Sequence, residues 1–408
     1  MSRGGPGASS LGPRWTRDQL RILYLIDSLA GGGAERSLAA LAPAYAARDL
    51  RLTVAYLHER PGVRADLEAA GAAVRSLEGP WGLAGAAARA RRLVAATRPD
   101  LVHTTLFEAD LVGRAAAGRV PVVTSLVNDA YGAAQADAPG LRRWKLGAAR
   151  LLDAVSARRV VRFHAISGHV AALMAARLRV PRDRIQVVPR GRDPAALGTR
   201  TPARRAAARA ALGLEPATPL VLAAARHEHQ KGLDVLLAAF PAVARAVPGA
   251  RLAVAGRLGN QTPRLRAAAD ALGPAVGLLG ARGDVAELLC AADVFVVPSR
   301  WEGFGSVLLE AMALEAPIVA SDLPAVREVV AHGDSALLVP PDRPADLAAA
   351  VTATLTDPAG AAARARRARE RFLATFTVDR VADAMADLYR HALAGRGRPA
   401  PAAAGRRP

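Results

Sequence analysis

Cysteine is nearly absent from the 408-residue chain: Cys290, in the apolar stretch "AELLCAAD", is the single one, and one thiol closes no internal disulfide. A reducing cytoplasm is therefore the expected location. Aromatic residues make up only 4%, so Ala, Val and Leu must do most of the apolar work, as suits a core of many packed helices and strands. No uninterrupted apolar run reaches the roughly 18 residues that a membrane-spanning helix needs. The opening "MSRGGPGASSLGPRWTR" lacks an apolar core of secretory length and reads as a disordered leader. Lysine is scarce too, with Lys145 and Lys231 alone among 55 basic residues.

Acidic residues number 36 against those 55, for a formal charge of +19. Clustered cations attract phosphate surfaces. Here the clustering is poor, with modest runs at Arg204-Arg205, Arg364 to Arg371 and Arg396 to Arg406 and the rest spread over most expected helices. Nucleic acid is disfavoured on that ground, and bilayer headgroups are the better anionic partner. A cytoplasmic protein, peripheral on the inner face of the cell membrane, is expected. Within "APGLRRWKLGAARLLDAV", Arg142, Arg143 and Lys145 stand beside Trp144 and several Leu, as in a helix touching a bilayer or in a solvated helix with one buried Trp.

The length exceeds what one core usually supports, so two domains are expected. From Arg21 onward, short β-rich runs ("RILYLID", "RLTVAYLH", "AAVRSLE", "DLVHTTL", "PVVTSLV", "FHAIS", "IQVVP") alternate with segments of helix length. Such alternation gives parallel strands with helical crossovers, apolar throughout because helices cover both sheet faces. The pattern pauses in a Gly/Pro/Thr/Arg stretch, taken as a linker over 191–204, and a second cycle runs through "PLVLAAARH", "ARLAVAG", "AVGLLG", "VFVVPS", "APIVAS" and "ALLVP". The expected organisation is a leader at 1–19, a first Rossmann-like domain at 20–190, a second at 205–376, a C-terminal helix at 377–394 and a disordered tail at 395–408. In open α/β sheets ligands sit beyond the carboxyl ends of the strands, so chemistry belongs at strand-to-helix junctions facing a cleft.

Four junctions carry polar or glycine residues. "LIDSLAGGGAERS" delivers Gly31, Gly32 and Gly33 into a helix, where backbone amides can approach an anion or sugar; a tight turn is the plainer alternative. The glycines do not follow G-x-G-x-x-G, so a dinucleotide fingerprint is not supported. "DLVHTTL" places His103 at an expected strand end facing the cleft, although such a histidine often serves only the core; His164 of "FHAIS" is expected nearer a strand interior, in a structural role. The run Arg226-His227-Glu228-His229-Gln230-Lys231-Gly232 pairs an arginine fork with a lysine point charge suited to a diphosphate, or is a solvated loop. His227, Glu228 and His229 make too sparse a set for zinc, and no metal is expected. Finally, "SRWEGFGSVLLEAMA" holds Glu302 and Glu310 across Gly303, Phe304, Gly305 and Ser306. A shared loop and helix cannot set two carboxylates on opposite sides of a scissile bond, as a glycosidase requires. Accepting hydrogen bonds from sugar hydroxyls suits them better.

Together these junctions resemble the retaining GT-B glycosyltransferases, specifically the large fourth family that uses nucleotide-sugar donors, from about Arg21 to Leu393. The most specific element is E-x7-E, Glu302 to Glu310, in its order after "R-x4-KG". The resemblance implies two Rossmann-like domains facing across a cleft, with C-terminal helices returning to the N-terminal domain. It implies that Glu310 binds the ribose and Glu302 a donor-sugar hydroxyl, with Gly303, Phe304, Gly305 and Ser306 lining the sugar and phosphate. It further assigns Arg226 and Lys231 to the diphosphate, Gly32 and Gly33 to the β-phosphate, His103 to the reacting carbon, and the region of Arg282 to Val285 to the base. The implied activity is metal-independent, retaining hexosyl transfer from a UDP- or GDP-sugar, with no cofactor, to a hydroxyl acceptor that is lipid-linked or part of a surface polysaccharide. A non-catalytic nucleotide-sugar scaffold, or a hydrolase or epimerase on the same fold, is the alternative. One departure stands out: where the family often has Asn-Gly-Val-Asp, this chain has Arg190-Gly191-Arg192-Asp193. That change is expected to bear on the hinge or the acceptor edge and to leave the donor motifs untouched.

Overall fold

The computed structural model describes residues 19–128, 131 and 143–394. The expected tail, the leader up to residue 18 and most of the acceptor-side loop from Asn128 to Gly140 lie outside them. The first half runs β1 (Leu20–Ser28), α1 (Gly33–Ala46), β2 (Leu50–His58), α2 (Arg64–Ala69), β3 (Ala73–Ser76), α3 (Gly82–Thr97), β4 (Leu101–Thr105), α4 (Phe107–Ala116), β5 (Val122–Leu126), α5 (Arg143–Ser156), β6 (Val160–Ala165), α6 (Gly168–Leu178) and β7 (Ile185–Val187). Across the stretch read as a linker, the chain forms α7 (Pro194–Leu197) and enters α8 (Pro202–Ala211), whose N-cap Thr201 accepts from Arg204 N–H. The second half continues with β8 (Leu220–Ala224), α9 (Leu233–Ala246), β9 (Arg251–Ala255), α10 (Thr262–Leu272), β10 (Val276–Gly280), α11 (Val285–Ala291), β11 (Val294–Val297), α12 (Val307–Ala313), β12 (Ile318–Ser321), α13 (Pro324–Arg327), β13 (Leu337–Val339), α14 (Pro344–Thr356), α15 (Pro358–Thr375) and α16 (Val378–Ala394).

Among the described residues the strands form two sheets, ordered β3-β2-β1-β4-β5-β6-β7 and β10-β9-β8-β11-β12-β13. Every pairing is parallel, and each apolar run picked out in the sequence overlaps one strand. The strand order reverses between β1 and β4 in the first sheet and between β8 and β11 in the second, so the crevice for a ligand opens at those two points. The four loops leaving these strands are the four junctions singled out from the sequence.

The two histidines exchange their expected places. His103 sits in the middle of β4 and is 1% exposed, while His164 is the penultimate residue of β6. The β-branched Thr104 and Thr105 extend β4 beyond His103, and Thr104 Oγ1 lies 2.8 Å from Thr124 Oγ1 on β5.

The final helix returns to the first half. On α16, Val381, Met385, Leu388 and Tyr389 are buried against Ile22, Tyr24, Tyr45 and Val54. Full burial of each such side chain contributes roughly 1.5–3 kcal/mol. The largely exposed Asp379 and Asp383, paired with Arg48 at 3.2 and 2.6 Å, add at most about 1 kcal/mol each, so packing holds this helix in place.

Candidate functional site

At the first switch point, β1 leads through Gly31 to Gly32, the N-cap of α1, and Gly33, its first residue. A Cβ at Gly33 would lie 2.6 Å from Arg190 Nη1, so the glycine lets the guanidinium come close to the backbone there. Arg190 comes from the segment that crosses between the halves. That segment is fastened to the returning chain by Arg192 N–H to Phe376 O at 2.9 Å and Val378 N–H to Arg192 O at 3.0 Å.

At the second switch point, Lys231 Nζ donates to Glu302 Oε1 at 2.6 Å, and Ser299 Oγ donates to the same oxygen at 2.8 Å. The two loops are laced together by Arg300 N–H to Gln230 O at 2.8 Å and by Gln230 Nε2 to Trp301 O at 2.9 Å. Gly232 closes the lysine turn at φ +59°, and a Cβ there would fall 2.0 Å from Pro298 O, so no side chain fits. Arg226, just past β8, is exposed and makes no side-chain hydrogen bond or ion pair among the described residues. His227 turns inward and is 1% exposed, with Nδ1 3.1 Å from Thr262 Oγ1.

The E-x7-E segment is held against the first half. Ser167 Oγ donates to Gly303 O at 2.8 Å, and the Glu328 carboxylate receives the N–H groups of Gly168 and His169 at 2.7 Å each, at the start of α6. A carboxylate there is favoured by the helix dipole. Phe304 is buried, its ring centroid 6.0 Å from that of Phe376, and Gly305 turns at φ +79° into Ser306. Ser306 Oγ makes no cap hydrogen bond to α12 and lies 3.4 Å from Arg190 Nη1. One turn on, Glu310 Oε1 accepts from Arg192 Nε at 2.8 Å.

The arginine pair that departs from the family pattern therefore does reach the donor motif, contrary to the expectation above. The physical reason is reach: the crossing segment passes under the start of α12, and a long side chain spans a gap that asparagine and valine would leave open. Sequence separations of 116 and 118 residues hid these contacts, and the unusual arginines were the one signal available.

Arg282 stands apart from this cluster, whereas His103 lines one cavity with Tyr24, Ser125, His164 and Arg190. His103 Nδ1 is 2.7 Å from Tyr389 Oη and Nε2 is 2.7 Å from Ser125 Oγ, which in turn is 2.7 Å from His164 Nδ1. Burial, with His164 adding to it, holds the His103 imidazole well below its ordinary value, so the ring is neutral. Arg282 forms a local surface pair with Asp284, Nε to Oδ1 at 2.7 Å, which holds that carboxyl below its usual range.

Glu302 with Lys231, Glu310 with Arg192, and Ser306 with Arg190 beside Gly33 thus line one groove between the two sheets. Carboxylates there can accept from hydroxyls, and cations can meet an anion. Residues 218–357 match the family described as glycosyl transferases group 1, and residues 31–196 match Glycosyltransferase Family 4. The D-inositol 3-phosphate glycosyltransferase of Segniliparus rotundus is 34% identical over 315 residues, covering 74% of this chain and 68% of that protein. The chain is a GT-B glycosyltransferase of family 4. The phosphatidyl-myo-inositol mannosyltransferase of Mycolicibacterium smegmatis is 40% identical to this glycosyltransferase over 147 residues, 35% of the chain and 38% of that enzyme. Of several other curated relatives the chain spans about half, from 41% to 54%. Among solved structures, Anabaena Alr3699/HepE in complex with UDP and glucose superposes with a TM-score of 0.80 at 23% identity, over 91% of this chain and all of that one, and shares the fold.

Proposed function

We propose that this glycosyltransferase is a metal-independent, retaining hexosyltransferase that moves a hexose from a UDP- or GDP-sugar to a hydroxyl on a lipid-linked or surface-polysaccharide acceptor. The observation that carries this reading is the Lys231–Glu302 pair, supported by Ser299 at the switch point of the second sheet. Glu302 takes a hydroxyl of the donor sugar and Glu310 the ribose hydroxyls, each through oxygens that their cationic partners leave open. Lys231 and Arg226 draw off the charge that develops on the departing diphosphate. The acceptor hydroxyl attacks the anomeric carbon on the face the diphosphate leaves, and a leaving phosphate oxygen takes its proton. No carboxylate nucleophile is required. Charge stabilisation of this kind is the largest expected contribution, since losing one well-placed donor costs about 3–4 kcal/mol.

The acceptor class draws on the relatives named above, one of which acts on phosphatidyl-myo-inositol, and on one helix face. On α5, Trp144, Leu151, Leu152 and Val155 are 53–65% exposed and fall on one side at helical spacing, with Lys145 and Arg150 also exposed. An anionic bilayer is the occupant this proposal commits to, because an apolar stripe flanked by cations suits that surface. Among the described residues no helix is long and apolar enough to cross a membrane.

A thermal-shift screen across UDP- and GDP-hexoses, followed by incubation of the stabilising donor with and without acceptor, tests the reaction. Product that appears only with acceptor and keeps the donor's anomeric configuration is expected; inversion, or nucleotide release at the same rate without acceptor, would refute it. Cosedimentation with anionic vesicles, lost in Trp144→Ala/Leu151→Ser, tests the membrane contact.

A further inference from the structure

The guanidinium of Arg190 is the unexplained charge of the groove. Arg190 is half-buried, and among the described residues its buried Nε has no hydrogen-bond partner and its Nη1 has one contact, with Ser306 Oγ at 3.4 Å. Buried polar atoms are nearly always partnered, and a buried charge without a partner is costly. The neighbouring carboxylates act on Arg190 through space without a hydrogen bond to it among the described residues. Glu302 is held by Lys231 and Ser299, Glu310 by Arg192, and Glu35 is folded back over Gly32, its Oε2 2.5 Å from where a Cβ of Gly32 would stand. Burial, then the like charge of Arg192, pulls the Arg190 pKa down to about 10, which still leaves it charged at neutral pH. A cation is thus kept at the start of α1, a 14-residue helix entered through glycines, near Glu35 and Glu302 but in hydrogen-bonded contact with no carboxylate among the described residues.

Resting on the donor reading above, we infer that Arg190 binds the phosphate of the nucleoside diphosphate that lies next to the transferred sugar, between Gly33 and Ser306. The hinge then supplies a cation of its own, beside those from the β8 loop. Because the same segment carries Arg192 to Glu310, one stretch of the crossing chain reaches both ends of the nucleotide diphosphate: Arg190 the terminal phosphate, and Arg192 the carboxylate assigned to the ribose. Arg190 is therefore expected to discriminate nucleoside diphosphate from monophosphate.

Calorimetric titration of the full-length protein with UDP, GDP, UMP and GMP tests this, comparing wild type with Arg190→Met and Arg190→Lys. Arg190→Met should weaken the bound diphosphate at least tenfold and change the corresponding monophosphate less than twofold, with Arg190→Lys in between. Equal weakening of both nucleotides, or no weakening, overturns the assignment. Should Arg190→Met fail to fold, Arg190→Lys, which keeps the charge, carries the same comparison. Wild-type protein that binds neither UDP nor GDP would instead bring down the donor reading itself, and this inference with it.

Discussion

Two polar clusters, one in each half of the molecule, differ in what their partners leave over. In the first sheet, His103 and His164 share Ser125, His103 reaches Tyr389, and His164 Nε2 meets Val188 O at 2.8 Å, so all four ring nitrogens are occupied. In the second, Lys231 spends one of its donors on Glu302, whose Oε2 makes no hydrogen bond among the described residues. Both clusters lie near switch points, and both pair groups of the types used in catalysis. The first is saturated and bolts α16 to the sheet; the second keeps capacity for a ligand. Residue type and strand position alone therefore do not mark a site, but unspent hydrogen-bonding capacity facing a groove does.

The sharpest way to break that comparison is to remove the unsaturated pair. Lys231→Ala or Glu302→Ala should lower turnover more than a hundredfold, at an unchanged circular-dichroism spectrum, because each removes charge or hydroxyl binding required in the transition state. Near-wild-type initial rates in either folded variant would place the chemistry elsewhere.

The saturated cluster should instead speak through stability. Burial pushes the His164 pKa down from 6.5 to about 4, with Arg190 adding to it. A depressed histidine contributes stability that is present in full above pH 6.5 and is lost as the pH falls through about 4, by at most about 3 kcal/mol. Asp27 and Asp110, raised by burial to about 6 and about 7, act in the opposite sense over the same range. The difference between wild type and His164→Gln isolates the histidine. Urea melts from pH 7 to pH 4 should show that difference shrinking as the pH falls; a constant difference would mean that the imidazole does not titrate with folding.

A smaller effect is expected at the joint between the clusters. Arg192→Ala frees Glu310 from its 2.8 Å partner, leaving the carboxylate in place but unoriented. Losing a hydrogen bond between charged groups costs about 1.5–3 kcal/mol when buried, and less at this partly exposed pair. Donor KM should rise about tenfold, with kcat changed less than threefold. A fall in kcat at constant KM would show that Arg192 acts on the reacting centre rather than through Glu310.

Much of the fold was legible because apolar β-rich runs and Ala/Leu helices repeat with short junctions, and parallel sheets leave little choice of layers. The positions of the candidate junctions were legible for the same reason, since Gly32-Gly33, Lys231-Gly232 and Glu302 to Glu310 are local patterns at strand ends. What was not legible depends on distant partners. The saturation of His103 is decided by Ser125 and by Tyr389, 22 and 286 residues away, and the reach of Arg190 and Arg192 into the second half by how closely the crossing segment passes α12. No local periodicity encodes either fact.

The smallest expected effect is that of chelation. A departing nucleoside diphosphate carries two to three negative charges, which many enzymes meet with a divalent ion. Lys231 and Arg226 already stand together on the loop after β8 and Arg190 on the crossing segment, and Lys231 is fixed by Glu302 while Arg226 makes no side-chain hydrogen bond or ion pair among the described residues. Three positioned cations offset that charge without an ion, and the carboxylates that would otherwise coordinate one are held by Lys231 and Arg192. Turnover should therefore change less than twofold when EDTA is added and remain flat when magnesium or manganese follows. Activity abolished by chelation and restored by magnesium would mean that Glu302 or Glu310 releases its partner to hold a metal, and the division between a saturated and a ligand-ready cluster would have to be redrawn around that ion.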